Sequence, residues 1–361
     1  MTRLRRFPGS VVAVVLVVVV VVITAIGVSK VRAQPGPSLP SLTAEQLLSS
    51  SITALAAPHS VSGDVETRLE VGLPEIPAAL SGAAGGVGIA NVLGSVIGPQ
   101  RFRVWSSPDG IRIQHLMDLQ EQDLVANHTD AWFWDSATST ATKLRAAGIA
   151  AAVPTPPTDA RAQMANADPL VVAKQVLDQA STCGDVSVSD TAVVAGRDAY
   201  LLRFTPSSHT TLVGDVTIAI DAQTYLPLDV SITPRGSSSP AVEAGFTSVS
   251  FAAIDPSMFS FTPPSDANVR DATDEVSAAI ASEGHRDDVS SGDQRPITAG
   301  SCLDTSVAVP LRHPLPPEVS AFLPFGGPLG SAITAERHGT TWLLVGPVDV
   351  ATLQARADAL P

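Results

Sequence analysis

Between residues 61 and 251 the chain repeats one device: short runs in which apolar and polar side chains alternate, each closed by turn-forming residues. Period-two alternation places alternate side chains on opposite faces of a strand, so this pattern commits the body to β-sheet with one wetter face. Val65 to Val71 alternates in this way. Arg101-Phe102-Arg103-Val104-Trp105 and Ile111-Arg112-Ile113-Gln114-His115-Leu116 flank Pro108-Asp109-Gly110, which reads as a hairpin with its turn. Asp123 to Asp135 and Thr138 to Leu144 read as a further pair of strands. Ala192 to Phe204, Val213 to Asp221, Leu226 to Thr233 and Ala244 to Phe251 follow. Helices are few. Thr43 or Ser41 can cap a short one with Leu47, Leu48 and Ile52 as its stripe, and Asp168-Pro169 opens another carrying Leu170, Val171, Val176 and Leu177. The expected class is α+β, built on an antiparallel sheet.

The N-terminus obeys a different rule. Val11 to Val28 contains no charged residue. As a helix those residues span roughly 27 Å, close to the hydrocarbon thickness of a bilayer. Arg3, Arg5 and Arg6 precede the run with no acidic residue, so the positive-inside bias puts the N-terminus in the cytoplasm and exports the rest. The alternative is a signal peptide cleaved near Val31-Arg32-Ala33. The run exceeds a usual signal core, and Lys30 and Arg32 follow it closely, which favours an uncleaved single-pass anchor in the cell membrane. Residues 1–33 hold five basic and no acidic groups, so the remaining 17 basic and 35 acidic residues leave the exported body at −18. Such a surface suits neither nucleic acid nor anionic headgroups.

Five parts are expected. Residues 1–33 form the cytoplasmic stub and anchor, and 34–40 a Pro-rich spacer. Residues 41–265 form the main domain, 266–296 an acidic linker, and 297–361 a small C-terminal α+β unit with strand-like patches at Ser306 to Leu311 and Trp342 to Val345 and a helix at Val350 to Ala359. Pro74 to Pro99 is a Gly/Ala-rich apolar insertion, uncharged apart from Glu75. Cys183 and Cys302 are the only cysteines. Export permits a bridge between them, while two free thiols remain open as the alternative.

No catalytic constellation stands out. The seven histidines are dispersed, with no pair at helical i, i+4 spacing and no cysteine beside them, so no local metal site is encoded. There is no nucleophile-elbow GxSxG, and Gly82 to Gly88 is Gly-rich without the strand before it or the Lys-Ser/Thr after it that a phosphate loop needs. Asn127-His128-Thr129 fits the glycosylation pattern, which is common by chance. The chain is expected to be non-enzymatic and to need no cofactor.

The aromatic residues say more. Only 4% of the chain is aromatic, yet Trp132 and Trp134 stand two apart on one strand face, and Trp105 ends a neighbouring strand. A face carrying three indoles needs a cover, whether a helix or a bound apolar molecule. Core packing is the simpler explanation for any one tryptophan. Strands outnumber amphipathic helices, however, which favours an uncovered apolar groove. Trp105, Trp132 and Trp134 are therefore the candidate ligand-binding residues, with Phe204 and Phe246 behind them.

Several segments together resemble the outer-membrane lipoprotein carrier (LolA)-like proteins of high-GC Gram-positive bacteria, and the related MucB/RseB N-terminal domains. They are Leu42 to Leu48, Val61 to Val65, Ala131 to Ser136, Val194 to Leu202, Ile220 to Leu228, Phe246 to Phe251 and Phe259 to Pro264. The resemblance implies a half-open antiparallel barrel wrapped around a helix, with an apolar cavity. It implies a carrier or binder of acyl chains from a lipid or lipoprotein, or else a regulator that senses them and contacts a membrane anti-sigma factor. A membrane anchor departs from the soluble shuttles of that family.

Overall fold

The computed structural model describes residues 36–70, 99–117, 119–147, 168–278, 296–311, 315 and 320–361. The apolar run Val11 to Val28, nearly all of the Gly/Ala-rich insertion and residues 279–295 lie outside the described residues, as does every expectation placed on them. Among the described residues no helix is long and apolar enough to cross a membrane.

Helix α1 (Ala44–Ala56) begins where the sequence offers a reciprocal cap. Thr43 Oγ1 accepts from the Gln46 backbone N–H at 3.1 Å, and Gln46 Oε1 accepts from the Thr43 N–H at 2.9 Å, which satisfies two otherwise orphaned donors. Strands β1 (Val61–Leu69), β2 (Gln100–Ser107), β3 (Gly110–Leu116), β4 (Glu121–Asn127), β5 (Asp130–Asp135) and β6 (Thr140–Arg145) follow. Helix α2 (Pro169–Ser181) starts at Asp168, whose carboxylate accepts the Leu170 N–H at 2.9 Å, with proline in the first turn where no donor is needed. Then come β7 (Gly184–Val194), β8 (Arg197–Pro206), β9 (Val213–Asp221), β10 (Pro227–Pro234), β11 (Val242–Ser250) and β12 (Asn268–Asp271).

These strands form one twelve-stranded sheet in the order β12-β6-β5-β4-β3-β2-β1-β11-β10-β9-β8-β7. Every pairing is antiparallel except β12 with β6. The end strands do not pair with each other, so the sheet is open.

Three sequence expectations need correction. The run 123–135 is two strands, because Asn127 Oδ1 accepts the N–H groups of Thr129 and Asp130 and turns the chain. The run 192–204 breaks at Ala195-Gly196, both with positive φ, which suits a tight hairpin turn. Within the stretch expected as an acidic linker, residues 268–271 pair with β6, and Ala272 and Thr273 are buried. Local charge suggested solvent there, but a free sheet edge offered hydrogen bonds.

Helix α1 covers one end of the sheet. Leu47, fully buried, packs with Tyr200, Leu202 and Ile220 of β8 and β9, and α2 packs on α1 and on β7. A bulge between Val188 and Asp190 reverses the facing of β7, so Val186 and Val188 join this cluster while Ala192 and Val194 join another. The second cluster gathers Val65, Val104, Ala199, Ala219, Leu228 and Phe246.

The C-terminal unit has its own core. Strands β13 (Ile297–Ala299), β14 (Ser306–Leu311), β15 (Phe325–Gly326), β16 (Ser331–Arg337) and β17 (Thr340–Gly346) make a five-stranded sheet. Leu353 and Ala357 of helix α3 (Val350–Asp358) pack with Ile333, Trp342 and Leu344 beneath it. Cys183 and Cys302 form a disulfide, with Cα atoms 5.6 Å apart across 119 residues of sequence. Closing a loop of that length removes about 5 kcal/mol of unfolded-state freedom on a chain-entropy account. Beside it, the Asp304 carboxylate accepts from Ser208 (2.6 Å) and Thr210 (3.1 Å) of the main domain and from the Ser301 N–H. Burial works against that charge, but these donors and Arg356 outweigh it and hold the Asp304 pKa below the usual carboxylate value.

Candidate functional site

Trp105, Arg112, Val125, Trp132 and Lys143 are directly opposite one another in successive ladders of β2 to β6, so they form one row on one face. Trp134 stands beside them, opposite Asp123 and Ala141. The three tryptophans thus share a face, as strand periodicity indicates. They are half-buried, and the face is not purely apolar. The Arg112 guanidinium lies 5.9 Å from the Trp105 ring centroid, and the Lys143 ammonium lies 5.3 Å from that of Trp132.

The cover for this face comes from the chain itself. After β11, residues 255–264 cross the sheet to deliver β12 to its edge. A 3-10 turn at Pro256–Phe259 buries Phe259 against Gly110, where any Cβ would meet the ring at 2.9 Å. Asn127 Nδ2 donates to Phe259 O at 2.9 Å. Phe261 lies tilted on both Trp132 and Trp134, with ring centroids 5.6 and 6.3 Å apart. The glycosylation-like Asn127 therefore has its amide engaged at both ends, as turn former and as strap anchor. Sequence periodicity could place the indoles on a face. It could not show that a segment more than a hundred residues away returns to cover them.

Beneath this strap lies an ion pair. Arg112 Nη2 donates to Asp123 Oδ2 at 2.5 Å and Nε to Oδ1 at 3.2 Å, and Arg112 also reaches Met258 Sδ at 3.7 Å. The Asp123 side chain is 1% exposed. Burial raises its pKa above the usual value, and Arg112 offsets only part of that effect.

Phe246 and Phe204 do not join the indoles. Phe246 is opposite Val65, which is opposite Phe102, so it shares the face of β2 that Trp105 does not occupy, and it is 2% exposed in the core. Phe204 lies on β8 two residues from Leu202 and opposite Val186 and Val216. His115, on the Phe102 face, stacks on that ring at 4.6 Å and has Nε2 2.8 Å from Gln100 Oε1; burial lowers its pKa below the usual imidazole value.

A separate concavity lies elsewhere among the described residues. An open groove of about 490 Å³ runs between the end of α1 and the β9–β10 turn. Ala54, Ala57, Pro58, Leu226, Phe251 and Ala253 give it apolar walls, while His59, Ser60 and Thr224 supply a polar rim. The His59 ring is fixed by Nδ1–H donating to Ala57 O at 2.8 Å. Arg197 stacks on Phe251, 5.2 Å from its centroid, and pairs through two nitrogens with Asp221 (2.7 and 3.0 Å). Asp221 also accepts from the N–H groups of Gln223 and Thr224, so it shapes the turn that forms one groove wall. Burial pushes its pKa up, but Arg197 and these turn donors outweigh it, and the net shift is downward. Proximity of Phe251 to the end of α1 was not readable from spacing, because no local pattern ties them together. Among the described residues no group of three His, Cys, Asp or Glu could hold a metal ion.

No protein-family model matches the chain, and no curated protein matches it. Similar solved structures include the MucA/MucB complex of Pseudomonas aeruginosa, with 13% identity over 87% of this chain and 96% of that one and a TM-score of 0.42. An uncharacterized conserved protein from Thermus thermophilus shares 10% identity over 63% and 98% of the two chains, with a TM-score of 0.31. A LolA superfamily protein from Nitrosomonas europaea shares 10% identity over 61% and 99%, with a TM-score of 0.23. The solved structures similar to this chain thus include MucB and LolA-like proteins, the groups its sequence motifs resemble; the restriction to high-GC Gram-positive bacteria has no counterpart among these three.

Proposed function

We propose that the chain is a membrane-anchored, extracytoplasmic, non-enzymatic binder of the acyl chain of a lipid or lipoprotein, its open sheet forming a half-barrel about α1. The observation that carries this reading is the groove beside α1, which has apolar walls, a polar rim at one side and a volume in the range of small-ligand sites. Each methylene buried there contributes roughly 0.8 kcal/mol, so chain length should govern affinity and the head group should matter little. The Cys183–Cys302 bridge supports an oxidising compartment outside the cytoplasm. Trp105, Trp132 and Trp134 enter as a second acyl contact only if residues 256–261 lift, and Trp132→Ala then weakens binding.

The test is titration of the gently purified chain with a fluorescent acyl probe, together with native mass spectrometry before and after delipidation. Saturable binding that falls about tenfold in Ala54→Trp, which fills the groove from a half-exposed helix position, is expected; that corresponds to about 1.4 kcal/mol. A wild-type chain with neither retained apolar ligand nor a saturable site sinks the reading. Recovery of a single-pass membrane protein in place of lipid would favour the regulatory alternative, contact with an anti-sigma factor.

A further inference from the structure

Residues 36–40, expected as part of a spacer, are fixed to the body together with Ser41 and Leu42 of the main domain. Thr191 Oγ1 donates to Pro37 O at 2.8 Å and the Tyr200 hydroxyl donates to Pro40 O at 3.0 Å, while Leu39 and Leu42 pack into the cluster around Leu47. Gly36 passes so close that a Cβ there would lie 2.0 Å from the Thr191 carbonyl oxygen. The chain therefore leaves the domain at one place. Leu39 shares a small depression with Gly196, Arg197, Ala222 and Gln223, and the very next residue of that turn, Thr224, rims the acyl groove. The docked segment, three residues inside the exit at Gly36, thus meets the same turn that supplies the groove rim.

The apolar run ends at Val28, nine residues before Pro37. Fully extended, that stretch reaches at most about 30 Å. A domain of this size is roughly 45 Å across, so the tether is shorter than the body it holds. With the run in a membrane, a tether of that length keeps the exit off the pole of the body farthest from the bilayer.

We propose that the groove opens toward the bilayer holding Val11 to Val28, and that the surface formed by residues 222–226, Pro58 and Ala253 meets the headgroup layer of the chain's own membrane. Amphiphiles then enter from that leaflet rather than from a soluble donor. The tether, not charge, holds the surface there, because a body at −18 is repelled by anionic headgroups. The proposal rests on the anchored, acyl-binding reading above.

The experiment uses the full chain in phosphatidylglycerol-containing vesicles, with a donor dye on Ala252→Cys, an exposed position beside the groove but not in its lining, and an acceptor on lipid headgroups. A second variant carries a Gly/Ser insertion of about 40 residues between Ala33 and Gln34, which lengthens the tether without touching the domain. Energy transfer should fall by more than half on insertion and should not fall between low and high salt, since salt weakens only the repulsion. Loading of an acyl probe from the chain's own vesicles should slow about tenfold, with binding in detergent unchanged, because effective concentration at the rim drops. Equal transfer with both tethers overturns the apposition. Failure of the wild type to bind the probe in detergent overturns the acyl reading and the uptake route, while the transfer measurement still decides whether the rim faces the membrane.

Discussion

The two ends of the large sheet each bury an Arg–Asp pair, and the pairs behave in opposite ways. At the helix-covered end, Asp221 meets Arg197 and also caps a turn, accepting the N–H groups of Gln223 and Thr224, and its pKa falls. At the strap-covered end, Asp123 meets Arg112 alone among the charges near it, and its pKa rises. Both carboxylates are 1% exposed. Burial and a guanidinium are common to both, so the difference lies in the turn donors, the N–H groups of Gln223 and Thr224 and the Thr224 hydroxyl. A buried carboxylate is comfortable when main-chain N–H groups replace its water, and a single ion pair does not fully do so.

Removing the carboxylates should separate the pairs most sharply. Asp221→Ala strands Arg197 and two turn amides, and should cost about 3–5 kcal/mol in urea unfolding. Asp123→Asn keeps one acceptor beside Arg112 and should cost about 1–2 kcal/mol. An Asp123→Asn loss larger than that of Asp221→Ala would contradict the role given to the turn donors.

The pH dependence has opposite signs at the two ends. A depressed carboxylate stabilises fully above its unfolded pKa, about 3.9, and loses that contribution as pH falls through its folded value. The gap between wild type and Asp221→Asn should therefore grow as pH rises through that window. Asp123, raised, stabilises most when the folded state is protonated, so the gap between wild type and Asp123→Asn should shrink as pH rises from about 4 through its folded value. Chemical denaturation across acidic pH reads both slopes.

The smallest effect concerns the strap. Asn127→Asp retains the turn acceptor but loses the donor to Phe259 O, and should cost about 1 kcal/mol. A red shift in tryptophan emission should accompany it as Phe261 loosens on Trp132 and Trp134. Unchanged emission and stability would mean that the strap is held by Phe259 and Met258 alone.

Much of the local structure was legible beforehand. Thr43, Asp168-Pro169 and Pro108-Asp109 mark element boundaries because capping and turn chemistry are short-range. The breaks at Asn127 and Ala195-Gly196 were harder to see. Alternation continues across a two-residue turn, so one long strand and a hairpin look alike. The site was less legible still. Periodicity placed Trp105, Trp132 and Trp134 on one face but could not supply Phe261, and it gave no means of separating Phe246 from them across the sheet.

By itself the sequence determined the strand-rich class, the two helix starts, the membrane-length apolar run and the acidic body, since each follows from nearest-neighbour spacing or from composition. Tertiary structure decided the rest. It decided that the two cysteines meet, what covers the indoles, where residues 36–42 dock and where a groove remains. Those outcomes depend on contacts between residues tens to more than a hundred positions apart, which are set by competition for the same buried surface and the same unpaired backbone groups.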